Sequence, residues 1–234
     1  MKILICTPAF GGMNNIEYTL SLVQTLAGFR QDNIDFALFM IGNESLISRA
    51  RNKCAHTVMN GPYDKLLFID ADIGWTYEQL RHLIFSDKRI VGGTYPMKTT
   101  PIALNFNPLP EHLKYFENRK SVAAFNKYKK DLANEKGEVE VMHIPTGFLM
   151  IDASVFKELA PTVPTYTGHD LSTGTTSKFH DFFPVRVKNG VLESEDWAFC
   201  SIARDNGIKV WFQTNIVTTH TGTQTWVVRK EELL

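Results

Sequence analysis

The sequence predicts an α/β fold, a doubly wound and mostly parallel central sheet flanked by helices, within a single domain spanning residues 1–234. Three observations point there. Short apolar runs alternate with stretches of helical period through the first hundred residues, the pattern of strands joined by crossover helices. Gly28 and Gly61-Pro62 stand at the ends of the first two stretches of helical period. The 234 residues are 44% hydrophobic and 21% charged, with 16 Phe, 7 Tyr and 4 Trp, enough apolar material for one sizeable core.

Taken in order, residues 2–6, 34–41, 65–70 and 90–94 read as strands. Between the first two, Asn14 with Glu17 three residues on has the form of a capping box. Ile16, Leu20, Val23 and Ala27 then recur at helical spacing up to Gly28. Residues 46–60 form a second expected helix and 76–85 a third. Such β-α-β units place a ligand crevice beyond the carboxyl ends of the strands. The second half is less regular. Residues 111–140 carry seven Lys/Arg and six Asp/Glu with no Gly before Gly137, which reads as an exposed, charged helical insertion. Strands are expected at 139–143 and 147–151, flanking Pro145. Residues 162–189, with six Thr between 162 and 176, read as a long irregular loop. A helix over 194–206, stopped by Gly207, and a strand at 209–213 complete the expected elements.

Composition excludes several classes of function. With 25 basic and 25 acidic side chains the formal net charge is zero, which gives no electrostatic footprint for nucleic acid. Cys6, Cys54 and Cys200 are odd in number and form no C-x-x-C pair, so buried free thiols are expected in place of disulfides or a zinc knuckle. The apolar run at the N-terminus is too short for a signal peptide, and none reaches the ~18 residues of a membrane span. A soluble, cytoplasmic protein is the expectation.

The residues able to carry chemistry lie at the ends of expected elements. The strand Leu66-Leu67-Phe68-Ile69 runs into Asp70-Ala71-Asp72, so two carboxylates sit at its carboxyl end, where a hard divalent cation finds oxygen ligands and keeps positions for phosphate and water. A D-x-D is common enough by chance that only its context gives it weight, and the structural alternative is Asp72 as a helix cap with Asp70 solvated. Glu195-Asp196 opens the 194–206 helix. The helix dipole alone accounts for acids there, while a functional reading makes Asp196 a general base, or Glu195 and Asp196 partners of a substrate hydroxyl. His220 follows the last strand in a Thr-rich segment, and beside a carboxylate its nitrogen would favour Mn²⁺ over Ca²⁺. Thr7-Pro8-Ala9-Phe10-Gly11-Gly12 follows the first strand where α/β sheets receive ligands, without a G-x-G-x-x-G or Walker pattern. Arg49 and Arg51 put two guanidiniums on the second helix, suited to phosphate or planar carbonyls, with surface salt bridging the commoner fate.

In that order these parts resemble the GT-A-fold glycosyltransferases, which use nucleotide sugars and usually a divalent cation. Thr7-Pro8 is similar to the family's nucleotide-binding opening and Asp70-Ala71-Asp72 to its D-x-D. Glu195-Asp196, Arg204, Gly207, a strand from Lys209 and His220 are similar to its E-D…R…G…strand…H arrangement. Relatives with a fuller Q-x-x-R-W motif differ here, where Arg204 stands alone; acceptor class and stereochemistry stay open. The resemblance covers residues 2–72 and 145–220 and implies a GT-A-like (Rossmann-like) sheet, with a nucleotide-binding half over 1–100 and an acceptor-side half over 101–234. It implies that Thr7, Pro8, Ala9 and Arg49 or Arg51 hold the nucleobase and Asp70 the ribose, with Ala71 beside it. Asp72 and His220 would bind Mn²⁺ (or Mg²⁺), Gly147 would line the donor sugar, and Asp196 with Glu195 would serve the acceptor hydroxyl. The implied substrates are a UDP-sugar, UDP-glucose by default, and a glycan or glycoprotein acceptor bordered by His169, Asp170, His180 and Asp181. Two alternatives remain at this point. A haloacid-dehalogenase-type phosphatase also places an aspartate pair after a strand, but expects Thr or Val where Gly74 stands. A catalytically inactive sugar-binding module would keep the fold and use the acids structurally.

Overall fold

The computed structural model of the protein describes residues 1–99, 102–116, 122–169, 174–222 and 225–227. The chain opens with strand β1 (Lys2–Ala9), helix α1 (Ile16–Gln31), β2 (Asp35–Gly42), α2 (Ile47–Asn60) and β3 (Lys65–Ile69). There follow β4 (Ile73–Gly74), α3 (Tyr77–Ile84), β5 (Ile90–Thr94), β6 (Asn107–Pro108), α4 (Val122–Leu132), β7 (Glu138–His143), β8 (Phe148–Asp152) and α5 (Ala153–Leu159). The rest is β9 (Thr165–His169), β10 (Thr176–His180), β11 (Arg186–Lys188), β12 (Val191–Glu193), α6 (Glu195–Asp205), β13 (Val210–Val217), β14 (Thr219–Thr221) and β15 (Thr225–Val227).

Eight strands form the central sheet in the order β2-β1-β3-β8-β5-β13-β7-β6. β1 runs parallel to β2 and β3, and β13 parallel to β5, while β8 and β7 run against their neighbours. The sheet is thus mixed and mostly parallel, flanked by helices. The insertion of β8 between β3 and β5 puts its first residues beside the carboxyl end of β3. Period-two alternation divides the core between two faces. Leu4, Cys6, Leu66 and Phe68 pack with α2, α4, α5 and α6, and Ile3, Ile5, Leu67 and Ile69 pack with α1 and α3. Cys6, Cys54 and Cys200 are buried free thiols.

Three expectations are corrected, and α1, present as expected, turns its apolar positions outward. α1 buries Tyr18, Ser21, Thr25, Gly28 and Phe29, whereas Ile16, Leu20, Val23 and Ala27 face outward. The small polar side chains are buried because Trp75 uses them: its backbone N–H donates to Ser21 Oγ at 2.9 Å and its Nε1 to Thr25 Oγ1 at 2.8 Å. The capping box at Asn14 is absent. Asn15 occupies the cap position without a side-chain bond, Asn14 Oδ1 accepts from Thr19, and Asn15 N–H donates to the Ala71 carbonyl. The charged segment 111–140 is not simply an exposed helix. It contains a 3₁₀ turn (Pro110–Phe116) and α4, whose Phe125 and Tyr128 are buried against Phe106 and whose Phe125 stacks on Phe212. Residues 162–189 are not one irregular loop, for β9 pairs with β10 and β11 with β12 as antiparallel hairpins. Thr is β-branched and suits a half-buried strand, so the Thr-rich composition marked strand as readily as loop.

Candidate functional site

At the carboxyl ends of β1, β2 and β3 an open cavity of about 400 Å³ is lined by Pro8, Phe10, Met13, Asn14, Asn15, Glu44, Ser45, Ile47, Asp70, Ala71 and Asp72. It lies where the strand-end rule places a ligand crevice. β1 extends through Thr7, Pro8 and Ala9, so these residues are strand and do not follow it. The Thr7 hydroxyl is turned away, fully buried and 2.5 Å from the Tyr18 hydroxyl. Its side chain holds α1 to the sheet, and Pro8 faces the cavity.

Arg51 joins the two acidic motifs. Its side chain is only 3% exposed, Nη2 donates to Asp70 Oδ1 at 3.0 Å, and Nε donates to Glu195 Oε1 at 3.2 Å. The guanidinium also lies 5.1 Å from the Phe68 ring centroid. Nη1 is buried without a partner among the described residues. Arg51 is buried against the carboxylates, and Arg49 on the same helix is clasped by the cavity-lining Glu44 at 2.5 Å. The Arg49 guanidinium leads in holding the Glu44 carboxyl down at about 2. Burial lifts the Glu195 carboxyl above its ordinary value against the pull of Arg51. Asp196 lies at the start of α6, where its Oδ1 accepts from Ser194 Oγ and, at 2.8 Å, from the Trp197 N–H. Trp197 stacks flat on His143 with centroids 4.9 Å apart.

A small second sheet, β15-β14-β4, brings His220 to the D-x-D. His220 pairs with Ile73 across β14 and β4, and the Thr221 N–H donates to the Asp72 carbonyl at 2.9 Å. His220 Nε2 consequently lies 3.3 Å from Asp72 Oδ2, and Nδ1 lies 2.9 Å from the Pro96 carbonyl. A carbonyl can only accept, so Nδ1 carries a proton, and Nε2 is the nitrogen that faces the Asp72 carboxylate. Asp72 does not cap α3, because Thr76 and Gln79 form that helix's capping box. Burial alone would raise the Asp72 carboxyl, but hydrogen bonds from His220 and Lys98 outweigh it and hold the group below its ordinary value. Among the described residues no group of three His, Cys, Asp or Glu forms a metal centre. The pair of one carboxylate and one imidazole, its far nitrogen oriented by a carbonyl, fits a cation that completes its shell with phosphate and water oxygens, as Mn²⁺ or Mg²⁺ does.

Gly147 closes the floor. Its carbonyl accepts from the Asp70 N–H at 2.9 Å, and a Cβ there would come within 2.8 Å of both Asp70 Oδ2 and the Tyr95 hydroxyl. Only glycine leaves room for that approach. The structure therefore gathers Asp70, Glu195 and Gly147 around Arg51 and Tyr95, and Asp72 with His220. Arg204 lies elsewhere, tying α6 to β7 through Glu140. Asp181 accepts from Asn52 Nδ2 at 2.8 Å, His180 stacks on Phe182, His169 ends β9, and Asp170 is outside the described residues.

Sequence reasoning missed three residues. Lys98 Nζ lies 2.6 Å from Asp72 Oδ2. Tyr95 packs edge-on against His220 at 4.8 Å, its phenol pushed well up by burial and by nearby Asp70. Glu44 lines the cavity. Lys98 and Tyr95 follow the carboxyl end of β5, so the strand-end rule applied to that strand as well would have found them.

No protein-family model matches the chain, and no curated protein matches it. Among solved structures the chain is similar to a crystal structure of GalNAc-T7 with UDP, GalNAc and Mn²⁺, at 10% identity and a TM-score of 0.46. That alignment covers 94% of this chain and 43% of the other, so the chain spans less than half of that protein's length. It is also similar to a provisionally assigned glucose-1-phosphate thymidylyltransferase from Bacillus anthracis in complex with a sucrose, at 10% identity and a TM-score of 0.32, covering 69% of this chain and 76% of that one. Among the described residues no helix is long and apolar enough to cross a membrane.

Proposed function

We propose that the protein is a glycosyltransferase that moves a sugar from a UDP-sugar, by default UDP-glucose, to a hydroxyl of a glycan or glycoprotein acceptor. The observation that supports this reading most is the meeting of Asp72 with His220 at 3.3 Å beside a strand-end cavity. Thr76 caps the neighbouring helix, so the Asp72 carboxylate is not engaged in capping.

The cavity edge formed by Pro8, Phe10 and Ile47 suits a planar base, and Arg49, held to the lining residue Glu44, would turn from it to donate to the base carbonyls. Asp70, fixed by Arg51, accepts from a ribose hydroxyl. Asp72 and His220 hold Mn²⁺ or Mg²⁺, which supplies positive charge against the leaving diphosphate. Gly147, packed against Asp70 and Tyr95, would line the donor sugar. Asp196 keeps Oδ1 occupied by Ser194 and the Trp197 N–H, so Oδ2 takes the proton of the acceptor hydroxyl. The acceptor oxygen then bonds to the anomeric carbon as the carbon–phosphate-oxygen bond breaks, its electron pair leaving on UDP, with inversion. Against a phosphatase reading, both Asp70 oxygens face Arg51 Nη2, at 3.0 and 3.3 Å, which blunts Asp70 as a nucleophile.

The test is release of UDP from a panel of UDP-sugars with Mn²⁺, first without and then with glycan acceptors. Slow release alone, faster release with an acceptor, and a loss of at least about 100-fold in Asp196→Asn with UDP affinity unchanged are expected. UDP binding without release from any donor would mark a binding module. Turnover of a phosphate ester that Asp70→Asn abolishes would mark a phosphatase.

A further inference from the structure

The cation position on Asp72 is contested by this chain's own Lys98. Lys98 Nζ lies 2.6 Å from Asp72 Oδ2, the same oxygen that faces His220 Nε2 at 3.3 Å. Nδ1 of the ring is turned to the Pro96 carbonyl, so Nε2 and the ammonium meet at one carboxylate oxygen. The ammonium sets a positive charge where a cation held by Asp72 and His220 would stand. The loop that carries Lys98 is pinned near its base. Pro96 bridges Leu104, the Met97 N–H donates to the Ala103 carbonyl at 2.8 Å, and the Thr99 N–H donates to the Met97 carbonyl at 2.7 Å. The backbone thus delivers the lysine to the carboxylate, while the side chain, a third exposed, has solvent to swing into.

We propose that Lys98 is a built-in counter-cation that occupies Asp72 in the unloaded site and is displaced from it when a divalent cation binds. An ammonium 2.6 Å from Oδ2 and a divalent cation on the same oxygen repel one another as like charges, so a metal that takes Oδ2 and Nε2 displaces the ammonium. Metal alone therefore binds weakly. A nucleoside diphosphate offers the displaced ammonium new acceptor oxygens, so metal and diphosphate bind with positive coupling, equal in both directions. This rests on the reading of Asp72 and His220 as the metal pair, and it adds ordered loading of the site, with bare metal disfavoured.

The experiment is titration of Mn²⁺ into the full chain, followed by the electron paramagnetic resonance signal of free Mn²⁺, with and without UDP. Wild type, Lys98→Met, Lys98→Arg and Lys98→Met/Asp72→Asn are compared, with thermal melts to show that each is folded. Expected is that Lys98→Met binds Mn²⁺ without nucleotide about tenfold tighter than wild type, that the gain from UDP shrinks by a similar factor, that Lys98→Arg stays weak, and that adding Asp72→Asn removes the gain. Equal, measurable Mn²⁺ affinity in wild type and Lys98→Met, or weaker binding in Lys98→Met, overturns the role of Lys98 and leaves the metal pair standing. Absence of Mn²⁺ binding in both proteins, with or without UDP, overturns both.

Discussion

Arg51 carries more of this site than any other single residue, because Asp70 and Glu195 are compensated by one buried guanidinium. Removing one member of a buried ionic group leaves the others desolvated and unpaired, which typically costs about 3–5 kcal/mol. Asp70 keeps some solvent contact, so the low end applies. Arg51→Met is expected to lower unfolding free energy by about 3 kcal/mol in urea melts. Adding Asp70→Asn and Glu195→Gln should recover part of that loss, since neutral amides no longer need the cation. A loss below 1 kcal/mol in Arg51→Met, with no recovery in the triple variant, would mean that the carboxylates do not depend on it. The D-x-D and E-D motifs were legible in the sequence as separate strand-end and helix-start features. Their union through Arg51 was not, since a helical arginine reads the same whether it reaches solvent or the core.

Among the elements, α1 shows how periodicity points to the wrong face. Its apolar positions Ile16, Leu20 and Val23 repeat at helical spacing and are exposed, while Ser21, Thr25 and Gly28 are buried. Hydrophobicity scores a hydroxyl as polar and cannot register that Trp75 satisfies it inside. Gly28 is buried because the Tyr77 ring passes within 2.2 Å of where a Cβ would be. That ring is fixed by edge contacts with Phe29 and by its hydroxyl donating to Asp32 at 2.7 Å. Gly28→Ala is therefore expected to destabilise by about 1–3 kcal/mol through overpacking, despite the better helix propensity of alanine. Leu20→Gln should stay within about 0.5 kcal/mol of wild type. Thermal or urea melts that reverse this order would put the buried face where the apolar spacing suggested. The hairpins in residues 165–193 escaped sequence reading for a related reason: threonine serves turns and half-buried strands alike.

Over the whole molecule, the sheet order explains how distant segments converge. β8 enters between β3 and β5, so Gly147 meets Asp70, and β14 pairs with β4, so His220 meets Asp72. The parallel strands and crossover helices of the first half were readable from alternating apolar runs, because local period decides them. The antiparallel insertion of β8 was not, because long-range pairing leaves no local signature. Zero net charge fits this architecture, since the proposed UDP-sugar is a small dianion whose charge one divalent cation matches, in place of a broad basic surface. The central claim is that Asp72 and His220 form a cation site for a nucleoside diphosphate, and thermal unfolding with UDP and Mn²⁺ tests it most directly. At ligand concentrations about 100 times Kd, stabilisation of about 2.7 kcal/mol raises Tm by roughly 5–10 °C in a chain of this size. The shift should need UDP and Mn²⁺ together, disappear with a chelator, and be lost in Asp72→Asn and His220→Ala. No shift in wild type, or an equal shift in Asp72→Asn, would contradict the account.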